Sequence, residues 1–297
     1  MRQLAFIAMA LLLSFTGCAQ RPKEAADDGR VKLNYVTTPE DSLLALTIMD
    51  SLKAYRDLPT GELMVKAGTM LLGQPYVAGT LDERDYETTG IFLTRTDCII
   101  FVETVFNLAQ AVKMNEDPTF LDFACLEQES RYRNAVCENY SDRIHYTTEW
   151  IRNNERRGLV KDITLECGGE TFDDPIDYMS THFDRYTHLK DAETDSTAAH
   201  DLKVIKEVEN TLNEIPLTYI PEDRIEENYG KMKPGDILGL MSGTKGLDIA
   251  HVTMYIGDGR FMHASMGKMK VVIDEKTVAD YVKGSRNIPG IKVIRPL

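Results

Sequence analysis

Residues 250–265, AHVTMYIGDGRFMHAS, read as two strands joined by a tight turn. Ala250, Val252, Met254 and Ile256 alternate with His251, Thr253 and Tyr255, the period of a strand with one buried face. Gly257-Asp258-Gly259 is turn chemistry, because Gly and Asp tolerate positive φ at little cost. Residues 261–265 return as the partner strand. Each strand carries a histidine. His251 lies mid-strand, opposite the apolar set, where a rigid sheet can project it into a cleft. His263 lies on the neighbouring strand. A clean two-residue turn at Asp258-Gly259 pairs odd positions with even ones and sends the two histidines to opposite faces. An odd-length loop or a bulge brings them to one face, and the Gly-Asp-Gly stretch permits one.

Around this pair the chain changes period. Gly235-Asp236 opens an apolar run at 237–241, and 270–273 and 291–294 read as further short strands. Upstream the spacing is helical. Thr38-Pro39-Glu40-Asp41 combines a cap, a Pro in the first turn and acids, and Leu43, Leu44, Ile48, Leu52 and Tyr55 follow. A second helix runs from Thr60 to Gly73, and a third over about 97–112 with Ile99, Ile100, Val102, Phe106 and Leu108. Residues 118–129, 147–157 and 198–214 are helical too, and 160–195 reads as loop with short strands. Helices followed by an antiparallel sheet make an α+β pattern. No boundary interrupts 38–297, which is read as one domain.

Residues 1–17 have the form of a secretory signal peptide: Arg2, then an apolar run over 4–13 that is too short to span a bilayer. Phe15-Thr16-Gly17-Cys18 resembles a bacterial lipobox, so Cys18 is the expected lipidation site and residues 18–37, mostly polar, a tether. The expectation is an exported bacterial lipoprotein on the periplasmic side of the envelope, at the outer membrane, with its membrane contact through acyl chains. The 297-residue chain carries 34 Lys plus Arg against 47 Asp plus Glu, a net charge of −13. That balance disfavours nucleic acid as a charge-driven partner. Five cysteines are too few for a disulfide scaffold.

Cys98 stands where Thr94-Arg95-Thr96-Asp97 gives way to the third helix. A helix N-terminus lowers a thiol pKa, and its unpaired N–H groups can hold an oxyanion. Packing is the alternative reading for any single cysteine. Cys125 lies in an apolar stretch, Cys137 in a polar loop, and Cys167 precedes Gly168-Gly169. With Cys18 and Cys98 set aside, these three allow at most one disulfide. A thiol needs a base. His182, His188 and His200 lie in polar stretches, whereas His251 and His263 are placed as a base and its orienting partner would be. No two histidines and an acid share metal-ligand spacing in one element, so no metal or cofactor is expected.

GQPYVAG (73–79), TDCIIFVE (96–103), KPGDILGL (233–240) and AHVTMYIGDGRFMHAS (250–265), with Cys before His, resemble the NlpC-type papain-like cysteine peptidases, which act on peptidoglycan peptides. SDRIHYTTEWI (141–151), LTYIP (217–221) and GLDIAH (246–251) are similar to one branch, the N-acetylmuramoyl-L-alanine amidase-like family. The resemblance runs from about residue 40 to the C-terminus. It implies a papain-like fold with the nucleophile at a helix N-terminus packed on an antiparallel sheet, plus helical insertions. It implies Cys98 as nucleophile, His251 as base, His263 as orienting residue and Tyr76 beside the oxyanion. Asp97 matches an acid that caps the helix or meets a substrate amine. Arg143, His145, Tyr146 and Trp150 match the branch motif and read equally as substrate-cleft residues or as an ion pair and aromatic core; Ser265 and Glu103 are weaker candidates. The superfamily places a Ser after the nucleophile, and here Ile99 stands there. Cys98 and His251 are 153 residues apart, room for a deeper cleft. The expected activity is hydrolysis of the muramoyl–L-alanine amide through a thioester. The alternatives are a γ-D-glutamyl–diamino-acid endopeptidase and a non-catalytic wall-binding lipoprotein. Nothing in the sequence sets an oligomeric state.

Overall fold

A computed structural model describes residues 32–297. The signal peptide expected over 1–17 and the lipidation site Cys18 lie outside the described residues. The elements in chain order are β1 (Tyr35–Val36), α1 (Pro39–Lys53), α2 (Thr60–Met70), β2 (Thr89–Gly90), α3 (Cys98–Met114), α4 (Phe120–Arg131), α5 (Thr147–Arg156), β3 (Val160–Asp162), β4 (Glu170–Phe172), α6 (Tyr178–Thr181), α7 (Ser196–Leu212), β5 (Leu217–Pro221), β6 (Ile237–Met241), β7 (Ile249–Gly257), β8 (Arg260–Ser265), β9 (Lys270–Ile273), α8 (Val278–Lys283) and β10 (Gly290–Pro296). Short 3-10 turns join several of them.

The helices start where the chain supplies caps. Thr38 Oγ1 accepts the Asp41 N–H ahead of Pro39, and Thr119 and Asp122 form a reciprocal capping box on α4. Every residue of α3 from Ile100 to Val112 is buried. A helix buried on all sides must be central, and α3, which buries Glu103, Asn107 and Gln110 along with its apolar residues, is enclosed by α1, α2, α4 and the sheet. The end of the stretch expected as a tether is docked. Tyr35 and Val36 pair with β2, and Asn34 N–H donates to Gln128 Oε1 at 2.8 Å.

The eight-stranded sheet runs β4-β5-β10-β6-β7-β8-β9, with β3 also on β10, and its pairs are antiparallel. The sequence predicts one buried face for β7, and the structure buries both. Val252, Met254, Met262 and Ala264 pack into the larger core with α2 and α3. Tyr255 and Phe261 point the other way, into a second core with Leu238, Ile291 and Val278. The extra cover comes in part from α8, a six-residue helix too short to show a period in the sequence.

The hairpin answers the parity question. Gly257 pairs with Arg260 across Asp258 (φ 51) and Gly259 (φ 73), so the two-residue turn is present. The register then shifts, pairing Tyr255 with Phe261 and Met254 with Met262 and leaving Ile256 as the extra residue of a bulge. Odd positions therefore share a face with odd positions. A second irregularity, between the Leu240–His251 and Met241–Ile249 pairs, leaves out Ala250. Two bulges thus bracket His251.

Candidate active site

Asp97 caps α3: its Oδ1 accepts the N–H groups of Ile99 and Ile100 at 3.0 and 2.9 Å. The first helical residue is Cys98, a free, half-buried thiol. The register of β7 and β8 runs from the turn as far as Met254 and Met262. Past that point the Val252 N–H is offered to the Cys98 thiol, alongside the amides of Cys98 and Ile99. Segment 73–77 hooks onto the sheet edge. Gly73 N–H donates to Val271 O at 2.9 Å, Tyr76 N–H to Met269 O at 3.0 Å and Val77 N–H to Thr96 O at 2.8 Å. The Tyr76 phenol thereby comes within electrostatic reach of Cys98 and Asp97, and burial together with those two groups raises its pKa.

The sequence predicts a lowered thiol pKa, and the surroundings reverse it. Burial first, and the Asp97 carboxylate second, push Cys98 up to about 12, against the pull of the Val252, Cys98 and Ile99 amides. Burial, then the neighbouring His263, push His251 down to about 3. Thiol and imidazole are therefore both neutral at rest.

His251 Nε2 lies 2.7 Å from His263 Nδ1, the rings meeting edge-on at 79°. His263 has no exposed surface. Its Nε2 is 3.3 Å from Asp274 Oδ2, and the edges of Phe261 and Tyr281 enclose its ring. Neither Asp274 nor Tyr281 is flagged by the sequence. Asp274 sits in Asp274-Glu275-Lys276, which reads as an ordinary polar turn, and only the β8–β9 register brings it to His263.

A cleft of about 440 Å³, its open mouth included, lies next to Cys98 in the chain without being lined by it. Ile99 and Val252, the neighbours of Cys98 and His251, line it together with Glu103, His145, Tyr146 and Trp150. Glu103 is bonded to Arg131 at 2.9 Å. His145 Nε2 is 2.9 Å from Tyr140 O, and burial and Arg143 hold its pKa well below the ordinary value. Trp150 Nε1–H is buried without a partner among the described residues. Tyr146 presents only its ring, since its hydroxyl donates to Glu209 Oε1 at 2.7 Å and accepts the Met179 N–H at 2.8 Å. Arg143 does not line the cleft. It donates to Leu81 O at 3.2 Å and to Asp82, and lies 3.5 Å from Glu87. Buried Ser265 accepts the Lys268 N–H at 3.3 Å through Oγ. Cys137, expected in a polar loop, is buried, and Cys137 and Cys167 are free thiols.

The sequence profile of the N-acetylmuramoyl-L-alanine amidase-like family matches residues 66–291. No curated protein sequence matches the chain. Among solved structures, an N-acetylmuramoyl-L-alanine amidase from Bacteroides uniformis superposes with a TM-score of 0.71 at 29% identity, covering 80% of this chain and 99% of its own. A Bacteroides fragilis protein provisionally named a xylanase superposes at 0.69 with 31% identity, covering 77% and 98%. A Legionella pneumophila protein of a family known by its domain alone gives 0.65 at 20% identity, over 87% and 95%, a likeness of fold. The helix-and-sheet arrangement is an α+β fold shared with these structures.

Proposed function

Because the chain belongs to the N-acetylmuramoyl-L-alanine amidase-like family, we propose that it hydrolyses the amide between the lactyl group of N-acetylmuramic acid and L-alanine in peptidoglycan fragments, with Cys98 as nucleophile. The coarser statement, a cell-wall hydrolase of the amidase class, follows from the family match and the amidase neighbour. The observation that supports the cysteine chemistry is a free thiol at the start of α3 that meets the Val252 N–H, one residue along β7 from His251, whose ring is bonded to His263.

In this reading the thiol and imidazole begin neutral. As Sγ attacks the lactyl carbonyl carbon, the thiol proton passes to His251 Nδ1 and the carbonyl electrons move onto oxygen. The Cys98 N–H, which is not bonded to Asp97 as the next three amides of α3 are, and the Tyr76 hydroxyl are the donors available to that oxyanion. His251 then returns the proton to the L-alanine nitrogen, the C–N bond breaks, and a thioester remains. Water gives a proton to His251 and attacks the thioester, releasing the lactyl carboxylate and restoring the thiol.

The cleft supports the sugar-bearing substrate over a free peptide. A pocket for a substrate ammonium needs a carboxylate free to pair. Asp97 spends Oδ1 on the helix amides, Glu103 is bonded to Arg131, and Ile99 replaces the superfamily Ser. Glu103 is the one carboxylate among the described residues lining the cleft, and it is bonded to Arg131, so this wall offers no pair of free carboxylates of the kind a glycosidase uses. For the N-terminus we propose lipidation at Cys18, which would hold the domain on the periplasmic side of a membrane. The test of the bond is direct. A disaccharide peptide should be cut between sugar and L-alanine, and L-Ala-γ-D-Glu-diamino acid should stay intact. Chromatography with mass detection showing cleavage of the free peptide after D-Glu would replace this reading with the endopeptidase.

A further inference from the structure

We propose that Asp274 is a positioning residue that fixes the direction of the N–H groups along the His251–His263 chain. The inference rests on the reading of His251 as the base. Two neutral imidazoles joined by one hydrogen bond have two equivalent arrangements. In the first, His251 Nε2–H donates to His263 Nδ1, His263 carries its proton on Nε2, and His251 Nδ1 has a lone pair. In the second, His263 Nδ1–H donates to His251 Nε2, and His251 carries its proton on Nδ1. Only the first provides a base at Nδ1, the nitrogen not engaged by His263. The inter-ring distance of 2.7 Å fits both.

The choice is made at the far end. A carboxylate accepts and cannot donate. Asp274 Oδ2, 3.3 Å from His263 Nε2, therefore selects the Nε2–H form of His263. That form leaves Nδ1 able only to accept, so His251 must donate from Nε2. The carboxylate is held in place: its Oδ1 accepts the Lys276 N–H at 2.9 Å, its backbone N–H donates to Phe261 O at 3.1 Å, and its carbonyl accepts from Arg260. The His263 ring is buried between Phe261 and Tyr281, at centroid distances of 5.0 and 5.7 Å. Lys268 is the cation whose charge reaches both His263 and Asp274.

This arrangement makes an unusual demand on substitutions. In Asp274→Asn, the single amide oxygen is claimed by the Lys276 N–H, so the amide NH₂ faces His263 Nε2 and forces the second, base-free arrangement. Asp274→Ala merely removes the preference. The isosteric variant should therefore be the more damaging one. We expect Asn to lower kcat about a hundredfold and Ala about tenfold, with KM within twofold. The Asn loss stays below the roughly ten-thousandfold loss from a wrong tautomer in a serine-protease triad, because here one more ring intervenes.

The experiment pairs hydrolysis of the disaccharide peptide with ring ¹⁵N NMR of the apo protein at neutral pH, assigned against the His251→Asn and His263→Asn spectra. Wild type should show Nε2–H on both rings, and Asp274→Asn should show Nδ1–H on both. Formate should restore both tautomers and rate in Asp274→Ala, a measurement that holds even if the Asn variant folds poorly. Unchanged tautomers in Asp274→Asn, or a His251 Nδ1–H in wild type, would overturn the proposal. Inverted tautomers with undiminished hydrolysis would uphold the role of Asp274 and instead remove His251 as the base.

Discussion

Replacing Asp97 by Asn separates two things that one side chain does. Asn caps a helix about as well as Asp, so the bonds to Ile99 and Ile100 can survive through the amide oxygen. The charge does not survive. Burial and the Asp97 carboxylate together lift the Cys98 thiol to about 12 from an ordinary 9.0, and Asp97 is the second of the two causes. As the smaller of two causes that together raise the thiol by about three units, the Asp97 charge is worth about one to two pKa units. Thiolate at a fixed neutral pH then rises about ten- to a hundredfold, and iodoacetamide alkylation of Cys98 should accelerate by the same factor. In wild type the alkylation rate should keep rising with pH beyond 9. Hydrolysis should behave differently. The reactive state needs His251 unprotonated, which holds above about 3, and the thiol protonated, which holds below about 12, so kcat/KM should stay level across neutral pH. An alkylation profile with an apparent pKa below 7 would show a thiolate–imidazolium pair at rest and refute the reasoning, as would an Asn variant no more reactive than wild type.

Cys98→Ala should abolish turnover with the melting temperature nearly unchanged; in wild type, peptide mapping after alkylation should find label at Cys98 while buried Cys137 and Cys167 stay unlabelled until the protein unfolds. His263→Asn should retain more activity than His263→Ala, because an amide oxygen can still accept the His251 Nε2–H, and equal rates for the two variants would count against an orienting role. Cys18→Ser should move the protein from the membrane fraction to the soluble fraction with the activity of the domain unaltered, and a wild-type N-terminus free of acyl mass would end the lipoprotein proposal.

Much of this architecture is legible in the residues. Thr38, Asp97 and Gly158 mark helix boundaries because capping chemistry is local, and the β7 alternation is visible because its period is. What stays hidden depends on partners distant in sequence. Tyr255 looks solvent-facing until α8 and β10 cover it. The thiol looks activated because a helix terminus is a sequence feature, whereas the burial that outweighs it is not. Asp274 is one more acid in a polar turn until the β8–β9 register sets it against His263. Arg143, His145, Tyr146 and Trp150 form one motif, yet the fold divides them, turning Arg143 to Asp82 and Glu87 and leaving the other three on the cleft wall.

The sheet with two covered faces has a mechanical consequence. Cys98 belongs to the helical side, whereas His263, and through it His251, is anchored with Phe261 and Tyr281 on the opposite side. The proposed nucleophile and base thus belong to two layers that touch, among other places, where Phe101, Met254 and Met262 surround Gly68. A methyl group added at Gly68 would sit 2.8 Å from Met262 Sδ, 3.0 Å from Met254 Cε and 3.2 Å from Phe101 Cζ, so these side-chain ends would have to shift. A misplacement of about 1 Å between reacting groups can cost about a hundredfold in rate. A displacement of helix against sheet at this remote contact would therefore lower the proposed activity while Cys98, His251 and His263 are all still present.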